Sequence, residues 1–366
     1  MSSAGGFVPP PYPYDRLDGA KAAASAHEGG IVDLSIGTPF DPPPPEVVAA
    51  LSASDAERGY PPSIGSKPLL EAAVGWMARR FGVDVPVSAV AACVGTKELV
   101  ANVVGWLHLR TPGRDTVLYP SVAYPSYEMG AILAGCRAVP FDDLSAIDEA
   151  DAARALCLWV NSPANPTGAL TDLGAAAEWG RVHAVPVLSD ECYAEFTWDG
   201  LPHTILEHGL DGVLAVHSLS KRSNLAGLRV GFYAGDPDLV HYLAEVRKHA
   251  GFMVPGPIQA AAVVALDDDA HVDEQRERYL ERLWYFADVL RGEGAKIDLP
   301  GGSFYLWAEA PGGDAWGFTQ DLAERGGVLV SPGDLYGPGG AGFVRVALVQ
   351  PMDRLRLVAE RLNPPG

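Results

Sequence analysis

The sequence is short of lysine. Only positions 21, 67, 97, 221, 248 and 296 carry it, among 27 basic side chains. Chemistry that needs a lysine amine must use one of those six. Positive charge as a whole is outnumbered: 46 acidic residues leave a formal net charge of −19 over 366 residues. Such a surface repels phosphate backbones, which argues against nucleic acid and anionic membranes as partners. No apolar run approaches the ~18 residues of a membrane span. The opening Met-Ser-Ser-Ala-Gly-Gly lacks the charged and apolar regions of a secretory leader, so a cytoplasmic location is expected. Cysteine is sparse too. Cys93, Cys136, Cys157 and Cys192 form no C-x-x-C pair and read as reduced core residues, not as a disulfide or metal frame. HExxH and GxSxG do not occur, no dinucleotide-type GxGxxG stands between an apolar run and a helix, and Gly65-Ser66-Lys67 has the wrong residue order for a P-loop.

Apolar residues, in contrast, are ample at 48%, and the length suits about two domains. A proline-stiffened arm opens the chain at Pro9–Tyr14, and a second proline cluster, Pro42–Pro45, precedes a helix from about Glu46. From there to about residue 235 helical segments (67–81, 98–109, 127–134, 173–182) alternate with short apolar runs. Those runs are 90–94, 116–119, 137–140, 156–160, 185–189, 212–217 and 229–234. Runs this uniformly apolar are buried on both faces, which predicts an α/β fold with a mostly parallel sheet wrapped by helices. After about 256 two long helical segments (257–266 and 270–291) precede short strands at 304–309 and 343–348, with a helix near 316–325 between them. This pattern predicts a smaller α+β domain. The expected division is a large domain over 46–250, with 1–45 and 251–366 forming the N-terminal arm and the small domain.

Three segments carry candidate chemistry. In Val213-Leu-Ala-Val-His-Ser-Leu-Ser-Lys221 a buried run feeds a serine-rich loop with one lysine. Lys221 either snorkels to solvent or is an amine whose ammonium is disfavoured by burial and which condenses with a carbonyl. In Ser189-Asp190-Glu191-Cys192-Tyr193, Asp190 would stand at the carboxyl end of a strand, where ligands of α/β sheets bind. It either caps the next element or faces a cation such as a protonated pyridine nitrogen. In Asn161-Ser-Pro-Ala-Asn-Pro-Thr-Gly168, a defined turn either closes a loop or presents an asparagine amide to a ligand.

Together, Asn165-Pro166-Thr167-Gly168, Asp190-x-x-Tyr193 and Ser218-x-x-Lys221-x7-Arg229 resemble the fold-type I aminotransferases that use pyridoxal 5′-phosphate. The order and spacing match along nearly the whole chain. The resemblance implies a role for each matching position. Lys221 would form the imine with the cofactor, and Asp190 would hold the pyridine nitrogen. Tyr193 and Asn165 would bond the phenolic oxygen, and Tyr124 would stack on the ring. Gly95, Thr96 and Lys97 would open a helix onto the phosphate, where free N–H groups and the helix dipole suit an anion. Ser218 and Arg229 would complete the phosphate site, and Tyr60 would reach the phosphate of a neighbouring subunit, which implies a homodimer. Arg345 would clamp the substrate carboxylate, beside Gly37.

Several further stretches, Gly95–Glu98, His217–Lys221, Asp190–Tyr193, Arg247–Pro255, Ala265–His271 and Tyr336–Gly340, are similar to actinobacterial N-succinyldiaminopimelate aminotransferases. That resemblance implies a ping-pong exchange between L-glutamate and a dicarboxylic keto acid, with 2-oxoglutarate released, in lysine and diaminopimelate synthesis. Aminotransferases for aspartate or aromatic substrates, and C–S β-lyases, would use the same lysine and aspartate. Lys97, Arg222, Arg247, Lys248 and His249 are the candidates for the remaining carboxylates of such substrates.

Overall fold

The short apolar runs pair into one seven-stranded sheet. The structure, a computed structural model, describes residues 6–53, 55–56 and 58–363; the first five residues, on which the leader reading rests, lie outside this range. The strands are β1 (Val90–Cys93), β2 (Thr116–Pro120), β3 (Arg137–Phe141), β4 (Ala155–Asn161), β5 (Val187–Asp190), β6 (Val213–Ser218) and β7 (Gly231–Gly235), in the spatial order β1-β7-β6-β5-β4-β2-β3. Only β7 runs against its neighbours; the remaining pairs are parallel. β4, β5 and β6 are buried at every position. This follows from apolar layers on both faces. One face is covered by Trp76, Met77 and their neighbours on the helix Lys67–Phe81, the other by Leu99, Val103 and Tyr127.

This arrangement bears out the α/β fold class expected from the sequence. The helix Lys67–Phe81 has the expected bounds, and the other expected helices and strands lie within a few residues of their readings. The helices Asp18–Ser25, Glu149–Arg154, Pro237–Ala250 and Met352–Leu362 were not foreseen.

Beyond residue 300 a second sheet is antiparallel. It consists of β8 (Tyr305–Glu309), β9 (Ser331–Pro332) and β10 (Phe343–Ala347), in the order β9-β10-β8. Arg345 stands mid-strand on β10, between Ser331 and Trp307. Leu283, Phe286, Leu322, Leu355 and Val358 from three helices cover this sheet. Beside it lies a separate two-stranded sheet, in which Val32–Asp33 pairs in parallel with Val328–Leu329. The N-terminal arm is not a free extension along its whole length. Leu17, Ala20 and Ala24 bury against Ala323, Leu329 and Tyr336. Among the described residues no helix is long and apolar enough to cross a membrane, and no His, Cys, Asp and Glu cluster could hold a metal.

Candidate functional site

Because β1, β4, β5 and β6 point the same way, their carboxyl ends deliver Gly95, Asn161, Asp190 and Ser218 to one edge of the sheet. A cavity of about 570 Å³ opens there. Its walls include Lys221, Asp190, Tyr193, Thr96, Lys97, Tyr124, Asn165, Ser218, Arg229, Arg345 and Gly37. Two of the expected site residues are not in the wall. Gly95 lies directly behind it, under Arg229. Tyr60 is 97% exposed on this chain.

Asp190 ends β5 with its carboxylate anchored on the cavity side. It accepts hydrogen bonds from the Tyr127 hydroxyl at 2.9 Å and the Cys192 N–H at 3.2 Å. Burial raises its pKa, while those donors and the positive charge of Lys221 work in the opposite direction. Lys221 follows one turn after β6. Its Nζ donates to the Gly37 carbonyl oxygen. Burial, reinforced by the like charges of Arg345 and Arg229, lowers its pKa to about 8. The amine is therefore substantially neutral just above physiological pH, as a nucleophile or proton acceptor requires.

The folded chain disfavours the Lys221 ammonium, and this has a consequence for the cofactor-free protein. The penalty is fully present below about pH 8 and fades as pH rises toward 10.5, where the unfolded chain also loses the proton. Lys221→Met is therefore expected to raise the stability of the cofactor-free chain at pH 7, by on the order of 1–3 kcal/mol. The gain should shrink steadily toward pH 10.5. Urea melts across this range check the sign, and a gain that stayed constant would count against the lowered pKa.

The helix Thr96–Arg110 begins at the cavity, with Gly95 at φ 74° as its N-cap. A Cβ on Gly95 would collide with Nη2 of Arg229. Arg229 itself holds the left-handed conformation (φ 55°, ψ 57°), sparsely populated by non-glycine residues. The helix start and the guanidinium thus form a tight cationic cradle. Arg345 is 2% exposed. It donates to Asn165 Oδ1 at 2.8 Å and to the Ser35 carbonyl, while its Nε has no partner. Its guanidinium carbon lies 4.3 Å from the Tyr305 ring centroid and 4.7 Å from that of Tyr336. Gly37 admits no side chain, because a Cβ there would collide with the Tyr305 hydroxyl. That hydroxyl is 2.8 Å from the hydroxyl of Tyr193.

These groups fit pyridoxal 5′-phosphate. Asp190 supplies an anchored carboxylate for a pyridinium, Lys221 a neutral amine for an aldehyde, and the Gly95–Arg229 cradle a seat for a dianion.

Four of the five cations expected to serve further carboxylates do not reach the cavity. Arg247 is fully buried and held by both Glu98 oxygens at 2.6 and 3.0 Å. Arg222 is buried against Glu195 at 3.1 Å. Lys248 is exposed beside Glu245 at 3.6 Å, and His249 is exposed on the same helix. Only Lys97 lines the cavity, with Nζ 3.4 Å from the Tyr12 hydroxyl. The sequence reading missed Tyr12, Tyr14, Tyr127, Cys192 and Tyr305 as wall residues. Tyr12 and Tyr14 lie in the expected arm, but nothing local says that it folds back over the sheet edge.

The family of aminotransferase class I and II matches residues 30–362. The chain is 46% identical over 369 residues to a probable aminotransferase of Mycobacterium tuberculosis, covering 97% of this chain and 85% of that one. It is 43% identical over 364 residues to the 4-dedimethylamino-4-oxo-anhydrotetracycline transaminase of Streptomyces rimosus, covering 97% and 99% respectively. Among solved structures, a probable N-succinyldiaminopimelate aminotransferase of Thermus thermophilus aligns with a TM-score of 0.85 at 33% identity, covering 95% of this chain and 98% of that one.

Proposed function

The chain belongs to the class I and II aminotransferases, which use pyridoxal 5′-phosphate, and on that basis we propose that it exchanges the amino group of L-glutamate with N-succinyl-2-amino-6-oxopimelate. The products are 2-oxoglutarate and N-succinyl-LL-2,6-diaminopimelate. The observation that carries this reading is the charge layout of the cavity. In a protein of net charge −19, Arg345 lies in its wall and Lys97 at its rim, in addition to the cationic cradle around Arg229. A substrate with one carboxylate at the reacting end and others further out suits such a layout. The Thermus thermophilus relative supports the same substrate class by its name.

When bound, the cofactor supplies an aldehyde for the incoming amine and a ring that takes up the electron pair left at Cα. The side chains do the rest. Asp190 would hold the proton on the ring nitrogen, and Tyr127 and the Cys192 N–H keep its carboxylate aimed. The Lys221 amine takes the Cα proton and returns it one atom away; acid–base work of this kind contributes typically ~10²–10⁴-fold. The Gly37 carbonyl, as acceptor for Nζ, positions that amine between transfers. Arg345 grips the α-carboxylate with its planar fork, and Asn165 and Ser35 fix the plane of the fork. Tyr193 and Asn165 would hold the phenolic oxygen, Tyr124 would lie against the ring, and Ser218, Thr96 and Arg229 would hold the phosphate. The exposed Tyr60 is available to a second subunit's phosphate in a homodimer.

A panel of keto acids with glutamate as donor tests the substrate. The expected result is a preference for N-succinyl-2-amino-6-oxopimelate, by kcat/KM, over oxaloacetate and phenylpyruvate. Equal rates on the three would overturn the named substrate while leaving the transamination intact. Pyruvate released from cystathionine without a keto acceptor would instead mark a β-lyase.

A further inference from the structure

A second buried acid lies behind Asp190 and has no part in the chemistry above. Asp190 and Glu191 are consecutive at the end of β5, so their side chains leave opposite faces of the sheet. Glu191 is 2% exposed. Its Oε1 accepts the Ser189 hydroxyl and the Ile205 N–H, each at 2.8 Å. Its Oε2 has no hydrogen-bond partner. His217 faces it from β6, also 2% exposed, with Nε2 3.5 Å from that oxygen. Neither ring nitrogen of His217 is hydrogen-bonded. Trp76, Phe81 and Phe232 enclose the imidazole with ring centroids at 4.9, 5.8 and 5.2 Å. The recess between these groups is about 10 Å³, too small for an organic ligand. Whatever the pair does, it does to its neighbours.

The surrounding charges are already satisfied. On the same face, Glu195 is paired with Arg80 at 2.9 Å and Arg222 at 3.1 Å, and accepts the Trp76 indole N–H at 2.6 Å. Arg222 also reaches Asp269 at 3.5 Å. Thr204 and Ser189 bring no charge. Asp190, Cys192 and Lys221 stand on the cavity side. Glu191 is therefore the one acid of this cluster without a cationic partner. Leaving its oxygen and both imidazole nitrogens unpaired would carry the full desolvation penalty of each group. One proton held between Oε2 and Nε2 relieves this for the two atoms that face each other.

We propose that Glu191 and His217 share one proton as a positioning pair, acting on Asp190 from the opposite face of the sheet and setting how firmly that carboxylate holds its cationic partner. The proposal rests on the reading that Asp190 holds the ring nitrogen. Burial raises Glu191 to about 7 and lowers His217 to about 3, so the pair carries its proton at mildly acid pH and loses it just above neutrality. Loss of the proton puts a second negative charge one residue from Asp190. Like charges make each carboxylate a stronger proton acceptor, so the grip on a pyridinium tightens.

The test compares cofactor dissociation constants for the wild type, Glu191→Gln and Asp190→Asn, each reconstituted from the stripped full chain at about pH 6 and about pH 8, either side of the expected titration. The ratio of the Glu191→Gln constant to that of the wild type should be near unity at the lower pH and rise severalfold at the higher. A role in packing alone changes the ratio equally at both, and a ratio independent of pH overturns the proposal. Asp190→Asn separates the two layers. If it leaves cofactor binding unchanged, the reading of Asp190 fails. If it weakens binding while the Glu191→Gln ratio stays flat, only the pair fails. If Glu191→Gln does not fold, infrared titration of the wild type reads the carboxyl directly, and the absence of a buried protonated carboxyl titrating across that range overturns the proposal.

Discussion

Lys221→Ala removes the visible absorbance of the cofactor-loaded protein and lowers turnover by at least ~10⁴-fold. In the proposed mechanism one atom, Nζ, performs both duties: it would bond the aldehyde and move the Cα proton. Its position comes from three sources. The turn after β6 delivers it, the Gly37 carbonyl holds it, and burial lowers its affinity for a proton. No substitute is at hand. Of the six lysines only Lys97 also lines the cavity, and its Nζ is at the exposed rim beside Tyr12. Absorbance spectra of the purified variant check the covalent role, and an unchanged spectrum would end it. Small primary amines added to the variant should restore part of the proton transfer, because the rest of the cavity stays in place.

The second large effect is expected at Arg345. Arg345→Ala should lower kcat/KM for both half-reactions by about 10²–10³-fold, the range for breaking a buried charge-assisted pair. Most of the loss should appear in KM, because the proposed clamp would hold the substrate carboxylate throughout. Arg345→Lys should recover little. A single ammonium cannot hold Asn165 Oδ1, the Ser35 carbonyl and a ligand carboxylate in one plane, as the fork can. Steady-state kinetics with glutamate and 2-oxoglutarate, alongside a thermal melt to confirm folding, measure both variants. A loss confined to kcat would contradict the carboxylate role.

Much of this site could be read from the sequence because its residues follow strand ends, and strand ends are local signals. Asp190, Ser218 and Lys221 each sit within a few residues of an apolar run, so the fold and the cavity edge were foreseeable together. What escaped were contacts made across the chain. Arg247 looked like a free cation, but Glu98, on the helix that opens at the cavity, takes both its terminal nitrogens. His271 is likewise tied to Asp268 and Ser223, each at 2.9 Å. These pairs give a physical reason for Glu98, Arg247, Asp268 and His271 in the stretches 95–98, 247–255 and 265–271. They hold helices together and do not touch the cavity. The helix Met352–Leu362 did have a local signal, since Leu355, Val358 and Leu362 recur at helical spacing and are buried. The tyrosines of the arm had none, because only the tertiary fold returns them to the sheet edge.

The pairing of Val32–Asp33 with Val328–Leu329 joins positions about 300 residues apart. On the ribosome, the N-terminal segment is made first and finds its partner strand nearly last. Ser35 and Gly37, which position Arg345 and Lys221, lie just beyond that strand. The seven-stranded sheet has all its strands once residue 235 has emerged, so it can assemble while the catalytic wall is still open. Assembly of the reaction site is therefore timed by the end of synthesis, and nascent chains stalled short of residue 328 should carry a formed sheet but no competent centre.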